Sequence, residues 1–381
     1  MPMSEVRWLA GARFAGGSAE FALPVTLAFL ILVRWHGTAT QLGLVLAAQA
    51  AGALVAQAVR HRARPQRVVL AANLAGVIVP VVLFAEPGMV TIAGLMLWRG
   101  FWSALCTPAA QALSGRIPAP RVRALVGLVP AVAVVLAPLG GYGVLTAFGI
   151  VGGIGLDAVL LLLSAAMVVW VGPGKQSTEP TMHGSLRFAM REAVRRPRLL
   201  RAVAVLITVN VLAAGPLLIL TPVSVGVRGY ALILSAIGAG VVAGSVLFAY
   251  RPMRRTLRGA MLWLIPAAAG PLALVLGAPL PLTVAAFAVV GVVQSVHGAL
   301  LAGALGPVGP LEETSSLAAL PVGQVLGGLG LDHLGVTTIG WLIVVGLCGL
   351  PLLSAGRSPR PRIRPGTADI RSGSPASAGS R

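Results

Sequence analysis

Apolar residues fill this chain in stretches of about twenty, separated by short polar breaks, with no sustained alternation of half-buried positions. The first stretch, Phe14–Val33, reads FAGGSAEFALPVTLAFLILV. A hydrocarbon core about 30 Å thick is crossed by about 20 helical residues, so each stretch predicts one membrane-crossing helix. About twelve such helices are expected. The first six are Phe14–Val33, Gln41–Val59, Val68–Phe84, Met89–Ala110, Ala124–Phe148 and Ile150–Val171. The second six are Ala202–Pro222, Tyr230–Tyr250, Ala260–Leu276, Thr283–Leu305, Ser315–Leu331 and Thr338–Ser354.

One interior segment is polar for long enough to divide the chain. It is 172–201, GPGKQSTEPTMHGSLRFAMREAVRRPRLLR, and it separates a six-helix half at 1–171 from a second at 202–356. From Ser185 onward its apolar residues recur at helical spacing opposite arginines, which predicts a helix lying on the membrane surface. Residues 357–381 read as a disordered basic tail. The halves echo each other: the arginine loop after the second span (Arg60, Arg62, Arg64, Arg67) is matched, half a chain later, by RPMRRTLR at 251–258. A duplicated six-span unit is how many transporters are built.

Composition agrees with an all-α polytopic membrane protein: 57% of residues are hydrophobic, 10% are charged and mean hydropathy is +0.90. A soluble domain would carry about a quarter charged residues. The net charge of +19 comes from arginines and a single lysine, Lys175, gathered in the short loops. That placement follows the positive-inside rule and sets both termini in the cytoplasm, with only Arg34 and Arg228 in the opposite loops. The acidic stretch GPLEETSS (309–316) falls on the basic side without an evident reason. Nucleic-acid binding is excluded because no basic stripe is interleaved with aromatics. GPGK at 172–175 is no phosphate-binding loop, since Gln176 follows Lys175 where Ser or Thr is needed, so no ATP is expected. The opening MPMSEVRW leads into a run too long for a cleavable signal. Cys106 and Cys348 lie in separate apolar runs and read as small buried hydrophobes. No metal-ligand spacing, cofactor motif or nucleophile with a base is present, so no enzyme is expected.

Several stretches resemble one family. RWLAGARFAGGSAEFALPVTLAFLILV, TQLGLVLAAQAAGALVAQAVRHRARPQRVVL and SLRFAMREAVRRPRLLR are similar to the first helix, the second helix with its loop, and the approach to the seventh helix of major facilitator superfamily transporters. The likeness runs over about 8–356 and is to bacterial drug and siderophore exporters of the enterobactin-exporter type. GLMLWRGFWSAL places Arg99 at the family's fourth-helix arginine. VLAPLGGYG is similar to the fifth-helix antiporter motif through Pro138, Gly140 and Gly141, with Ala137 replacing its first glycine. The resemblance implies the major facilitator fold, a monomer in the bacterial cytoplasmic membrane, and proton-driven efflux of a small amphipathic molecule, with Arg60, Arg62, Arg64 and Arg67 in the gating loop. The family's aspartate in that loop is missing here. An importer or uniporter of the same fold, or a non-transporting interaction protein, are the alternatives.

Intramembrane charge is the remaining signal, because such residues face the bundle interior or a wet cavity and take partners. Glu20 and Arg99 lie near the middle of spans one and four, about 4.5 Å apart in depth, and are expected to pair. Either the pair locks two helices, or Glu20 is a proton site whose charge Arg99 holds in one state only. Asp157, Asn210, Gln294, His297 and Gln324 are further candidates for a substrate cavity or relay, each with packing or helix-end solvation as the alternative. Gly238, Gly240 and Gly244 predict close helix approach, and Pro138 and Pro216 predict bends.

Overall fold

The architecture comes from a computed structural model, which describes residues 1–58, 64–172, 191, 194–250, 256–305 and 309–355. Every regular element among them is helical. Helix α1 (Met3–Ala28) runs into a π-helical turn, Phe29–Arg34, followed by α2 (Ala39–Ala58), α3 (Pro65–Leu83), α4 (Met89–Gly115) and α5 (Pro120–Val169). Helix α6 (Pro197–Val209) passes through a second π-helical turn, Asn210–Ala214, into α7 (Gly215–Tyr250). The chain closes with α8 (Leu257–Leu262), a 3-10 turn at Ile265–Ala268, α9 (Ala269–Val275), α10 (Leu280–Leu305) and α11 (Gly309–Ala355).

Local chemistry sets these limits. Pro65, Pro120 and Pro197 open α3, α5 and α6 at the first helical position, where the missing N–H costs nothing. The second π-helical turn sits just before Pro216, whose ring removes a hydrogen bond from the helical ladder. Among the described residues nine apolar helical stretches are long enough to cross a membrane. Three of them, of 45, 52 and 39 residues, are about twice or more the roughly 20 that one crossing needs. Each of the three is broken at one glycine with positive φ: Gly149 at 65°, Gly226 at 68° and Gly335 at 81°. Only a residue without Cβ takes that conformation cheaply, so the break is written into the glycine. All three fall in gaps expected between spans.

Other expectations shift. The acidic stretch 309–316 is not a loop: α11 already begins at Gly309. The ninth span is not one helix but is interrupted by the 3-10 turn at Ile265–Ala268. Of the surface helix expected from Ser185, residues 185–190 and 192–193 lie outside the described residues, as do Arg60 and Arg62 of the loop and the tail 357–381, while its last part, Pro197–Arg201, is the start of α6.

Bare backbone contact replaces side-chain interdigitation at the tightest crossings. A methyl group on Gly100 of α4 would overlap the Gln49 carbonyl oxygen of α2, and one on Gly52 would overlap the Leu97 carbonyl oxygen in return. The same reciprocal contact recurs in the second half: Gly240 of α7 faces the Ala288 carbonyl and Gly291 of α10 faces the Ile237 carbonyl. In lipid, where apolar packing gains little over the solvent, this close approach is what holds helices together. The repeated pair gives the sequence echo a physical counterpart.

Helices before and after the 172–201 segment meet along two seams. Gly238 of α7 abuts Val134 of α5, and Gly43 and Gly328 bring α2 against α11. At the start of α2 every free amide is satisfied. Thr38 and Gln41 form a capping box, with Thr38 N–H donating to Gln41 Oε1 at 3.1 Å and Gln41 N–H to Thr38 Oγ1 at 3.3 Å. The remaining two donors, Ala39 N–H and Thr40 N–H, reach the Asp332 carboxylate of α11 at 3.0 and 2.9 Å. An acid from one half thus caps a helix of the other, where the helix dipole favours negative charge.

Candidate functional site

The membrane-depth charges converge on the first half, but not as expected. Arg99 of α4 does not pair with Glu20. Its Nη2 lies 3.1 Å from Asp157 Oδ1 on α5, with 5% of the Arg99 side chain and 1% of the Asp157 side chain exposed. Nη1 leans toward the Gly76 carbonyl of α3 at 3.5 Å, a long contact. Gly76 has no side chain for this reason: a methyl there would come 2.8 Å from Arg99 Nη1. Asp157 Oδ2 has no hydrogen-bond partner among the described residues.

Glu20 is half-buried and accepts a hydrogen bond from Ser103 Oγ at 2.8 Å. Among the described residues it has no cation within ion-pair distance. The physical reason is register. Ser103 is one turn below Arg99 on α4, and it is the residue that stands level with Glu20. Both side chains line a cavity of about 360 Å³ walled by residues of α1, α3, α4 and α5 and open on one side. Arg13, Asn73, Trp102 and Cys106 line it too.

A buried relay stitches the back wall of this cavity. Asn73 Nδ2 donates to Ser164 Oγ at 2.9 Å, and Ser164 Oγ donates to the Ala12 carbonyl at 2.9 Å, tying α3 to α5 and α1. Arg13 donates from Nη1 to Ser114 Oγ at 2.9 Å. Trp102 Nε1 is buried without an acceptor among the described residues. None of Ser103, Arg13 or Trp102 was singled out by sequence, because hydroxyls and aromatics are ordinary in membrane helices. Arg13 carried the one available signal, a charge seven residues from Glu20 on the same helical face.

The remaining candidates sit apart from this cavity. Gln324 is 4% exposed, with Oε1 lacking a partner among the described residues, at the α2–α11 seam. Asn210 donates from Nδ2 to Leu206 O at 2.9 Å and Ser316 Oγ at 3.2 Å, linking the π-helical turn to α11. His297 Nδ1 lies 2.7 Å from the Ala260 carbonyl, so it ties α10 to α8. Gln294, one turn earlier, is exposed on another face of α10. Pro138 and Gly141 are buried, Gly141 against Ala22 of α1, whereas Gly140 faces open space. Arg64 and Arg67 are exposed at the start of α3. A second opening, of about 410 Å³, lies between the halves among Phe29, Tyr142 and Arg228.

No protein-family profile matches the chain, and no curated protein sequence matches it. Its architecture, however, is that of solved membrane transporters. A POT family transporter in complex with 5-aminolevulinic acid superposes with a TM-score of 0.71 at 11% identity, over 91% of this chain and 94% of that one. A D-xylose–proton symporter gives 0.67 at 12% identity, over 94% and 97%. The nucleoside transporter NupG gives 0.70 at 13% identity, over 93% and 98%. At these identities the similarity is one of fold.

Proposed function

We propose that this chain is a secondary transporter of the bacterial cytoplasmic membrane that exports a small amphipathic molecule in exchange for protons by alternating access. If Gly149, Gly226 and Gly335 each reverse the chain, the nine apolar stretches become twelve crossings, six in 1–171 and six in 202–356. The arginine loops then set both termini in the cytoplasm. Coverage of nearly the full length of a proton symporter and of a nucleoside transporter supports transport, and the first of these supports proton coupling.

Glu20 carries the proton in this reading, and the observation behind it is its partner. Ser103 is a hydroxyl, able to donate to a carboxylate or accept from a carboxylic acid, so it satisfies Glu20 in either protonation state. Protonating Glu20 also strands no cation, because Arg99 is already matched by Asp157. Arg99 and Asp157 then act as the fixed strut, and Glu20 as the moving charge. The test is dye uptake into proteoliposomes with an imposed pH gradient. Accumulation driven by an acidic lumen, lost in Glu20→Gln, is expected. Uptake driven by acid outside would make the protein an importer, and no uptake in either direction would leave a non-transporting membrane protein. Wild-type rate and pH response in Glu20→Gln would remove Glu20 from the mechanism.

A further inference from the structure

The charges around the first-half cavity do not cancel in place. Arg99 also lines the cavity, but its charge is already compensated by Asp157 at 3.1 Å. Glu20 and Arg13 are different: each meets only a hydroxyl, Ser103 at 2.8 Å and Ser114 at 2.9 Å. Neither has an oppositely charged partner among the described residues. Both line the same cavity. They stand seven residues apart on α1, which places them on one face about 10 Å apart along the axis. The wall between them is small and aromatic, formed by Gly16, Gly17, Phe21 and Trp102.

We infer that this cavity binds a dipolar organic molecule, with an ammonium at Glu20, an anionic group near Arg13 and an apolar or aromatic body between. The inference rests on the transport reading only in making that molecule the cargo. A volume of about 360 Å³ lies at the small end of organic-ligand pockets. Complementary charge at both ends selects a dipolar guest over one carrying a single charge, since the singly charged guest leaves one wall charge unmatched. An apolar body contacts Phe21 and Trp102.

The test uses the full chain in detergent and calorimetric titration with three probes sharing one body. They are 4-(3-aminopropyl)benzoic acid, whose charges lie about 10 Å apart when extended, 3-phenylpropylamine and 4-propylbenzoic acid. The dipolar probe is expected to bind about tenfold or more tightly than either relative. Arg13→Gln lowers it to the level of the amine while leaving the amine unchanged, and Glu20→Gln lowers it to the level of the acid. Arg13→Lys, which keeps the charge and loses the planar fork, falls between. Equal binding of the dipolar probe and the amine, an unaltered preference in a folded Arg13→Gln, or no binding of any probe overturns the inference. Dye uptake in proteoliposomes without any preference for the dipolar probe leaves transport standing and sinks this site. Selective binding without uptake does the reverse.

Discussion

Removing Asp157 tests whether the strut and the moving charge have been assigned correctly. In Asp157→Ala the Arg99 guanidinium stays buried, with only the 3.5 Å contact to Gly76 O to satisfy it. Guanidinium does not shed its proton in proteins. Leaving it unpaired costs about 3–5 kcal/mol. Arg99→Ala strands Asp157 instead, but a carboxylate can neutralise itself by binding a proton, so the loss is expected to be smaller. The double variant Arg99→Ala/Asp157→Ala strands nothing and recovers about 2–3 kcal/mol relative to the sum of the singles. Glu20→Ala frees one hydroxyl, Ser103, and costs about 1 kcal/mol. Unfolding of the purified variants in mixed micelles reads these differences, alongside transport in liposomes. The expected order is Asp157→Ala least stable, Arg99→Ala next, and Glu20→Ala near wild type but inactive. Additive losses in the double variant, or a stable Asp157→Ala, would refute the strut. So would a Glu20→Ala that is the least stable of the three.

The reciprocal glycine pairs make a second prediction. Gly100→Ala and Gly291→Ala each force two helix backbones apart and are expected to cost about 1–3 kcal/mol in the same unfolding assay, whereas Gly140→Ala, facing open space, is near neutral. At the α2–α11 seam, Asp332→Ala withdraws two charge-assisted hydrogen bonds from Ala39 and Thr40, about 1–2 kcal/mol. That favours separation of α2 from α11 about 5- to 30-fold, read as faster maleimide labelling of Val227→Cys in a background lacking Cys106 and Cys348. Unchanged labelling would show that the cap does not hold the halves. Orientation is tested by single cysteines at Arg64, Pro120 and Thr256, which are expected to label only from the cytoplasmic side. Labelling any of them from outside intact cells reverses the topology.

Much of the fold was legible because lipid leaves a chain few choices. Backbone groups in hydrocarbon must bond internally, so twenty apolar residues mean a helix whatever their order. The three glycine bends fell in gaps expected from breaks in hydropathy, and TATQ at 38–41 already spells a capping box. What hydropathy does not carry is the state of a polar break. GPLEETSS reads as a loop by charge, yet α11 begins at Gly309 within it, because Glu is a good helix former and nothing there breaks a helix after Pro310.

The site was legible in its members but not in its pairing, and the reason is geometric. Counted along each span from the end opposite the arginine loops, Glu20 lies about 20 Å deep, Arg99 about 15 Å and Asp157 about 10 Å. Arg99 is therefore equidistant in depth from both acids, and depth alone cannot choose between them. Azimuth chooses. Gly76 on α3 leaves room for the guanidinium on the side where Asp157 stands. Ser103 lies about 21 Å deep, level with Glu20, and takes that carboxylate instead. One arginine between two acids can fully neutralise only one of them. The acid left with a hydroxyl is the one whose charge can change without stranding a partner, and it is the one that faces the cavity.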